Sequence, residues 1–569
     1  MGLITGALQI GRSALMAYQS ALQVVGNNIA NVSTDGYTRQ TPILTPGGGI
    51  TLAEGFQPGG GVALTGLRRN VDDSIEDRYR IATGDQAGAR MLQDVLGRIE
   101  SSMNELSDSD LSTLLQSFFN AFSTLQTNPT DTGARTTVLT AGDSLARELQ
   151  RQRAEVASLR DELNRELQVT VERANQLASD VAELNVRIAE LESSGRGTSN
   201  SLRDQRDQLL RELGELAQIQ VREQPGGAIN VYVGNEPLVQ GGLSRGLAST
   251  LEIKDGNPTV TVHFADNNGL VTVRGGKIAG LIEARDTFLV EHVAQLDNLA
   301  ATLIAEVNKV HSQGQGLRGF TDTTGVFDVR DADVVLNSTQ AGLSLKPGNG
   351  SFVVTVTDQR SGLSHDYVIP VDLDGIGTDD SLNRLAARIN SKLTNAGAQV
   401  TGDNRLRFVA DSGFEVTFGQ DSSNVLAALG VNVFFTGTDA SDLAVSSELT
   451  GNPDLLAAAT QRAPGDGSNA ARLAALGSEP VAALNGRSIS DFYNGIVSDV
   501  AVKGAAAKAA VQATAAIGSA LASQRESVSG VNLDEETVSL LKLQRAFEGV
   551  ARYTTTVNGL IGELLAIVG

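Results

Sequence analysis

The chain contains no cysteine and no tryptophan. The first absence excludes disulfides, thiolate metal sites and thiol nucleophiles. It fits a chain that ends up outside the cell without oxidative folding, although many cytosolic proteins share it. Aromatic residues make up only 4%, so the cores must be built mainly of Leu, Val, Ile and Ala, a composition suited to long helices. Positive charge is in deficit: 45 Lys and Arg against 66 Asp and Glu leave a net charge of -21. Binding phosphate backbones needs a basic stripe, and none is present, so nucleic acid is not an expected partner. No apolar run reaches the ~18 residues a membrane helix needs. The most apolar tail, GLIGELLAIVG, holds Glu563. The first residues, MGLITGALQIGRSALMAYQ, have no basic n-region and carry Arg12 inside the apolar stretch, which makes a poor secretory signal.

Both ends of the chain carry a sustained helical stripe. Near the start, Ile4, Leu8, Gly11, Leu15, Tyr18, Leu22, Val25 and Ile29 alternate in steps of four and three, and Gly11 alone departs from the apolar rule. Near the end, Leu533, Glu536, Leu540, Leu543, Phe547, Val550, Thr554, Val557, Ile561, Leu564 and Val568 keep the same step. Such heptad seams mark helices that want a partner helix. The second would span roughly 50 Å without a proline. Its start is marked by Gly530, by Asn532 as N-cap and by Asp534, Glu535 and Glu536 in the first turn, where the helix dipole favours acids. The first helix finishes in Asn27, Asn28 and Asn31, poor helix formers, and then Asp35-Gly36 supplies a turn. Those amides either cap their own helix or reach the backbone of a neighbouring subunit, and both uses stay open.

At 569 residues the chain exceeds a single core, and its length suggests about three or four domains. Helical spacing runs from Arg90 to Gln126, with a break at SDSD and a stop at Asn128-Pro129. A very long helix is expected over about Gly133 to Glu192, with a stripe from Leu149 through Leu163 and Leu177 to Leu191. It is followed by a break at SSGRGTSN and an antiparallel return over 199–220. The pattern turns to short β runs over 221–275 (AINVYV, STLEI, TVTVHF, LVTV), then to a helix over 276–312. Residues 345–436 form a second β-rich block, SFVVTVTD to NVFFTG, enclosing the helix SLNRLAARINSKL. Helix resumes over 454–461 and in an Ala-rich stretch at 499–527. The expected architecture is mainly α with an inserted β domain. Its parts are a terminal coiled-coil domain (1–31 with 531–569), a helical rod domain (32–330 with 446–530) and a compact β-rich outer domain (331–445).

Catalytic templates fail on context. GQGLRG at 314–319 follows a helix instead of a strand and opens no helix, so nothing would hold a pyrophosphate. GLSRG at 242–246 is followed by a β run, so Ser244 lacks the strand–turn–helix elbow. His263, His292, His311 and His365 form no ligand spacing. DLDGIGTDD at 372–380 puts its glycine too early for an EF-hand loop and reads as a solvated acidic turn, with weak calcium binding as the minor alternative. No enzyme activity, metal or cofactor is expected.

ALQVVGNNIANVSTDGYTRQ resembles the N-terminal signature of the flagellar axial family of rod, hook and hook-associated proteins, with Asn27, Asn28, Ala30, Asn31, Thr34, Gly36 and Tyr37 at its motif positions. SGVNLDEETVSLLKLQRAFEGVARYTTTVNGLIGELL resembles the C-terminal helix of that family. LQSFFNAFSTLQTNPTDTGART, SLRDQRDQLLRELGELAQIQV, GGKIAGLIEARD and LDNLAATLIAEVNKVHSQG are similar to the middle helices of its hook-associated members. The resemblance covers most of 1–320 and 445–569. It implies terminal helices that are unfolded before assembly and form the inner layer of a tube. It also implies self-association in a ring, neighbours such as the hook protein and a second junction protein, and unfolded export by the flagellar type III apparatus. A cytosolic export chaperone on the C-terminal helix and an extracellular place in the flagellum follow from the same resemblance. A different axial component, or a secreted adhesin or hydrolase acting through the inserted β domain, are the alternatives.

Overall fold

The computed structural model describes residues 2–48, 59–103, 110–193, 198–254, 257–461, 463 and 465–568. The chain is 56% helical with several small sheets. Helix α1 (Gly2–Ala30) leads into the hairpin β1 (Gln40–Pro46) and β2 (Val62–Arg69). Helices α2 (Asp73–Met103), α3 (Leu111–Thr127), α4 (Thr132–Ser193) and α5 (Asn200–Leu216) follow. Strands β3 (Ile219–Glu223), β4 (Ile229–Val233), β5 (Glu236–Gln240) and β6 (Leu243–Ser244) form one antiparallel sheet, and β7 (Leu247–Lys254) pairs with β8 (Asn257–Phe264). Helix α6 (Gly276–Glu283) passes through a π-turn at Ala284–Phe288 into α7 (Leu289–His311). The β block holds β9 (Asp322–Thr324), β10 (Gly350–Asp358), β11 (Ser364–Val371), helix α8 (Leu382–Lys392), β12 (Ala396–Val400), β13 (Leu406–Ala410) and β14 (Phe414–Gly419). The chain closes with α9 (Val425–Leu429), β15 (Phe435–Thr436), β16 (Ala444–Val445), α10 (Ser447–Gly451), α11 (Ser468–Ala475), α12 (Ile489–Ser529) and α13 (Leu533–Val568).

Two compact units emerge. The first holds Met1–Asp94, Asp161–Arg285 and Ala505–Gly569; the second holds Val95–Arg160 and Asp286–Gly504. In the first, the α4 stripe buries Leu163, Leu167, Leu177, Val181 and Ile188, while Leu191 at its end is 45% exposed. Helices α2, α5 and α6 meet at glycines. A Cβ on Gly280 would sit 2.7 Å from Gly88 O, and one on Gly84 would sit 2.6 Å from Gly214 O. Those positions therefore tolerate no side chain. The π-turn aims Arg285 inward. Its Nη1 donates to Val260 O (2.7 Å) and Asn164 Oδ1 (3.0 Å), and Asn164 in turn donates to Pro258 O (3.0 Å). This fixes strand β8 to α4. Arg206 does the same for the β3–β4 turn through Gly227 O (2.7 Å) and Asn185 Oδ1 (3.0 Å).

In the second unit the β block folds as two three-stranded sheets, β11-β10-β14 and β12-β13-β9, with α8 against β11 and β12. Strand β9 precedes position 331 and pairs with β13. The core there is Phe352, Ile369, Leu385, Ile389, Phe408 and Phe418. The scarce aromatics otherwise gather where α3 meets the segment around 434. Phe118 lies 5.4 Å from Phe434, ring to ring, and Phe434 lies 4.7 Å from Phe435. Arg135 is fully buried and spends its donors on Pro129 O (2.7 Å) and Leu456 O (2.7 Å).

Several expectations are corrected. Stretch 454–461 is not a helix; it holds one 3-10 turn at Pro453–Leu455. Its backbone bonds elsewhere: Ala459 exchanges bonds with Gln315, and Ala457 N donates to His311 Nε2 (3.1 Å). LVTV is no strand, because Leu270 makes only an isolated bridge to His263. NVFFTG shrinks to Phe435–Thr436, since Asn308 Oδ1 captures the N–H groups of Phe434 and Phe435 (3.0 and 2.9 Å). The expected helix 276–312 is interrupted by its π-turn. SDSD lies largely outside the described residues; its last member, Asp110, caps α3 by accepting from Thr113 N (2.7 Å).

Two histidines of the second unit are buried. His311 Nδ1 donates to Asn432 O (2.8 Å) while Nε2 accepts from Ala457, so the ring is neutral. Neither ring nitrogen of His292 has a hydrogen-bond partner, and the side chain is 4% exposed, with Asp499 and Lys503 acting on it as charges. Burial lowers both to about 4. A depressed histidine stabilises the fold above its unfolded value near 6.5, and that contribution is lost as pH falls toward 4. We expect His292→Leu to shrink the stability difference between pH 7 and pH 4 by about 3 kcal/mol. Urea unfolding at both pH values measures it; an unchanged difference contradicts the assignment.

Candidate functional site

The N-terminal and C-terminal helices lie against each other in one chain. Gly11 meets Thr554, where a Cβ would run into the threonine hydroxyl, and Asn28 meets Glu536, so α1 and α13 run antiparallel. On α1 the most buried line is Gly11, Ala14, Ala17, Ala21, Val25 and Asn28. Leu8, Leu15, Tyr18, Leu22 and Ile29 flank it half-buried, and the side chain of Ile4 lies outside the described residues. The seam thus sits one residue toward the small side chains, because these let the helices approach closely. The β1–β2 hairpin also lies on α1. On α13, Glu536 and Val557 are buried, and Leu540, Leu543, Phe547, Val550, Thr554 and Ile561 are half-buried toward the same contact. Leu533 and Leu564, at the ends of the stripe, remain exposed. Within one chain the two stripes cover each other in part, with Leu533 and Leu564 left open.

A polar clasp closes one end of the pair. Glu536 is 2% exposed in the first turn of α13. Arg39 Nε donates to its Oε1 (2.7 Å) and Arg39 Nη1 to Glu535 (2.6 Å). Asn28 Nδ2 donates to Glu536 Oε2 (3.0 Å) and to Gln40 O (2.9 Å), and Asn28 Oδ1 accepts from Gln40 N (3.1 Å) and from the Tyr37 hydroxyl (2.8 Å). Asn200 on α5 donates to the Gln40 side chain (3.2 Å). Burial, then the charges of Asp204 and Glu536, push the Tyr37 hydroxyl up to about 12. It therefore stays a donor.

The asparagine motif divides into two uses. Asn28 bridges to the backbone of its own chain and to α13. Asn31 folds back on Asn27 (2.9 Å to O, 3.0 Å to Oδ1), and Thr34 donates to Asn31 (3.1 Å). Gly36, at φ 77°, turns the chain so that Tyr37 can reach Asn28. Ala30 and Thr34 are exposed. Arg39 and Gln40 were not legible as partners. The available signal was Glu536, an acid standing inside an apolar stripe, which demands a cation when buried.

The catalytic templates have no structural support. Ser244 sits in the two-residue strand β6 and leads into β7. Asp372, Asp374 and Asp379 bring carboxylate oxygens within 4.8 Å of one another on a surface loop. Among the described residues no helix is long and apolar enough to cross a membrane.

Comparison with known proteins settles the family. Residues 96–327 match the flagellar hook-associated protein FlgK helical domain, 8–38 the flagella basal body rod protein, and 522–567 the flagellar basal body rod FlgEFG protein C-terminal region. Flagellar hook-associated protein 1 of Salmonella typhimurium is 30% identical over 573 residues, covering 98% of each chain. The chain belongs to the flagellar hook-associated protein 1 family. The Escherichia coli K12 relative is 29% identical over 98% of each chain, and the Bacillus subtilis relative 25% identical over 99% of this chain. A solved structure of the flagellar hook junction protein FlgK from Burkholderia pseudomallei matches with a TM-score of 0.53 at 17% identity, over 80% of this chain and 100% of that one. It shares the fold. Membership makes the chain a structural component of the flagellum and not an enzyme.

Because Glu536 is buried and held by Arg39 and Asn28, Glu536→Ala should loosen the helix pair by about 2 kcal/mol. Amide exchange should quicken in α1 and α13 and stay unchanged in the second unit. Equal protection of the pair in both proteins would contradict the clasp.

Proposed function

We propose that the chain joins hook to filament by polymerising into a ring through its terminal helices. The supporting observation is the apolar surface that the α1–α13 pair leaves uncovered. Val538, Leu541 and Leu560 lie off the mutual seam and are 50%, 51% and 54% exposed, and Met16 on α1 is 53% exposed. Leu533 and Leu564 add to it. Each is already half covered, so burying the remainder against a neighbouring copy contributes roughly 1 kcal/mol per side chain. The pair is thus a prepared coiled-coil unit that further copies complete. In this reading 1–31 and 531–569 form the inner layer, the helical rod (32–330 with 446–530) surrounds it, and the β-rich block 331–445 projects as an outer domain.

The same reading places the protein outside the cell, between the hook protein and a second junction protein, after unfolded export. A cytosolic export chaperone then holds the C-terminal helix before secretion. The family relationship supports these partners, together with the uncovered face of α13.

Leu560→Asp tests assembly without touching the seam. A surface substitution of this kind changes stability by about 0.5 kcal/mol or less. The variant should keep its unfolding midpoint yet fail to restore motility to a strain lacking the protein, leaving hooks without filaments in electron micrographs. Normal filaments would sink the proposal.

A further inference from the structure

Strand β7 leaves one long edge of the first unit open. Its partner β8 shows which way the backbone groups point. Phe264 N donates to Gly269 O (2.8 Å) and Val271 N donates to Val262 O (2.9 Å), so residues 262 and 264 face away from β7. Asn257, Thr259, Thr261 and His263 therefore bond to β7, opposite Lys254, Glu252, Thr250 and Ala248. Ala265 N, donating to Gly246 O (3.0 Å), continues that series. The alternate residues of β7, Leu247, Ser249, Leu251 and Ile253, turn their N–H and C=O groups outward. Leu247 N is taken by Asn175 Oδ1 (3.1 Å). The backbone groups of Ser249, Leu251 and Ile253 have no partner on that side among the described residues.

Exposed edges are ordinarily blunted by proline, by a bulge, by an inward charge or by brevity. β7 runs for eight residues in unbroken register and holds no proline. Its Leu251 and Ile253 are 61% and 73% exposed, yet they share a face with the buried Val260 and Val262 across the ladder. The apolar layer thus stops one strand short. The open groups also fix what completes it. Ser249, Leu251 and Ile253 are spaced evenly about Leu251, so a second β7 laid antiparallel meets all of them. Leu251 faces its own counterpart, Ser249 faces Ile253, and each such pair exchanges two bonds, about six in all. On the other face Glu252 meets Thr250 and Lys254 meets Ala248, so no like charges stand directly opposite. The two Glu252 carboxylates are diagonal, roughly 7–8 Å apart, and each has Lys254 two residues along its own strand. We propose that β7 docks β7 of a second copy about a two-fold axis at Leu251. A two-fold contact cannot repeat around a ring whose copies all point one way, so this pair belongs to the free chain, where it covers an edge open to mispairing. The pairing rests on β7 alone and does not depend on the ring.

The test follows the full-length free chain by sedimentation velocity over a concentration series. A monomer–dimer equilibrium is expected with a dissociation constant on the order of 0.1 mM, weak because so short an edge buries less than a standard interface. Ser249→Pro removes an outward N–H and leaves the ladder to β8 intact, so it should weaken the dimer about tenfold. Glu252→Gln, which removes the diagonal repulsion, should tighten it about twofold. Leu251→Cys places one thiol at the axis of a chain that has no native cysteine. Cα atoms of a hydrogen-bonded pair lie about 5.5 Å apart, within disulfide reach. Oxidation should therefore give covalent dimers about tenfold faster than in Leu363→Cys, whose side chain is 76% exposed in the turn before β11. The cysteine comparison decides the matter if Ser249→Pro does not fold. A monomer at every concentration, a dimer unmoved by Ser249→Pro, or equal oxidation rates in the two cysteine variants overturns the proposal.

Discussion

One buried carboxylate organises the ends of this molecule. Glu536 stands where an apolar side chain would continue the α13 stripe, and at 2% exposure it cannot rely on water. Its two oxygens are met by Arg39 and Asn28, which lie on either side of the turn that ends α1. Satisfying it therefore requires three things together. The first helix must stop after Ala30, the chain must reverse at Gly36, and the last helix must begin beside that turn. Hydrophobic contact alone would let two such helices slide, because it is not directional. A buried charge with one matching set of partners sets the register, a role for which buried polar groups have precedent in paired helices.

The rest of the first unit follows a similar logic at larger scale. Glycines at 84, 88, 214, 276 and 280 bring α2, α5 and α6 to backbone contact. Arg285 and Arg206 then hold the β8 strand and the β3–β4 turn to their supports through carbonyl oxygens. In the second unit Arg135 and His311 do the same for the segments around 456 and 432. These devices make stiff bodies without disulfides and with few aromatics.

Periodicity made the long elements legible. The spans of α1, α4 and α13 could be read because apolar residues at fixed intervals report which face is covered, whatever covers it. The finer choice on α1 was not readable. Leucine and tyrosine outweigh alanine in any apolar pattern, yet Ala14, Ala17 and Ala21 occupy the contact because closeness matters more there than bulk. The clasp was hidden for another reason: Arg39 and Glu536 are 497 positions apart, and no local pattern links them. The buried arginines escaped notice because arginine ordinarily marks solvated surface. The non-helical 454–461 depends on Arg135 and His311, side chains from distant segments that capture its backbone groups, which local propensity cannot anticipate.

The central claim is that α1 and α13 of a single chain pair antiparallel in the register set by Glu536. The absence of native cysteine permits a direct measurement. In Gly11→Cys/Thr554→Cys, two thiols are placed at the closest approach of the helices. Oxidation of the dilute free protein should give a rapid cross-link within one chain, seen as a faster-migrating monomer on non-reducing gels. Persistent free thiols, or cross-linked dimers in place of the monomer, would contradict the account.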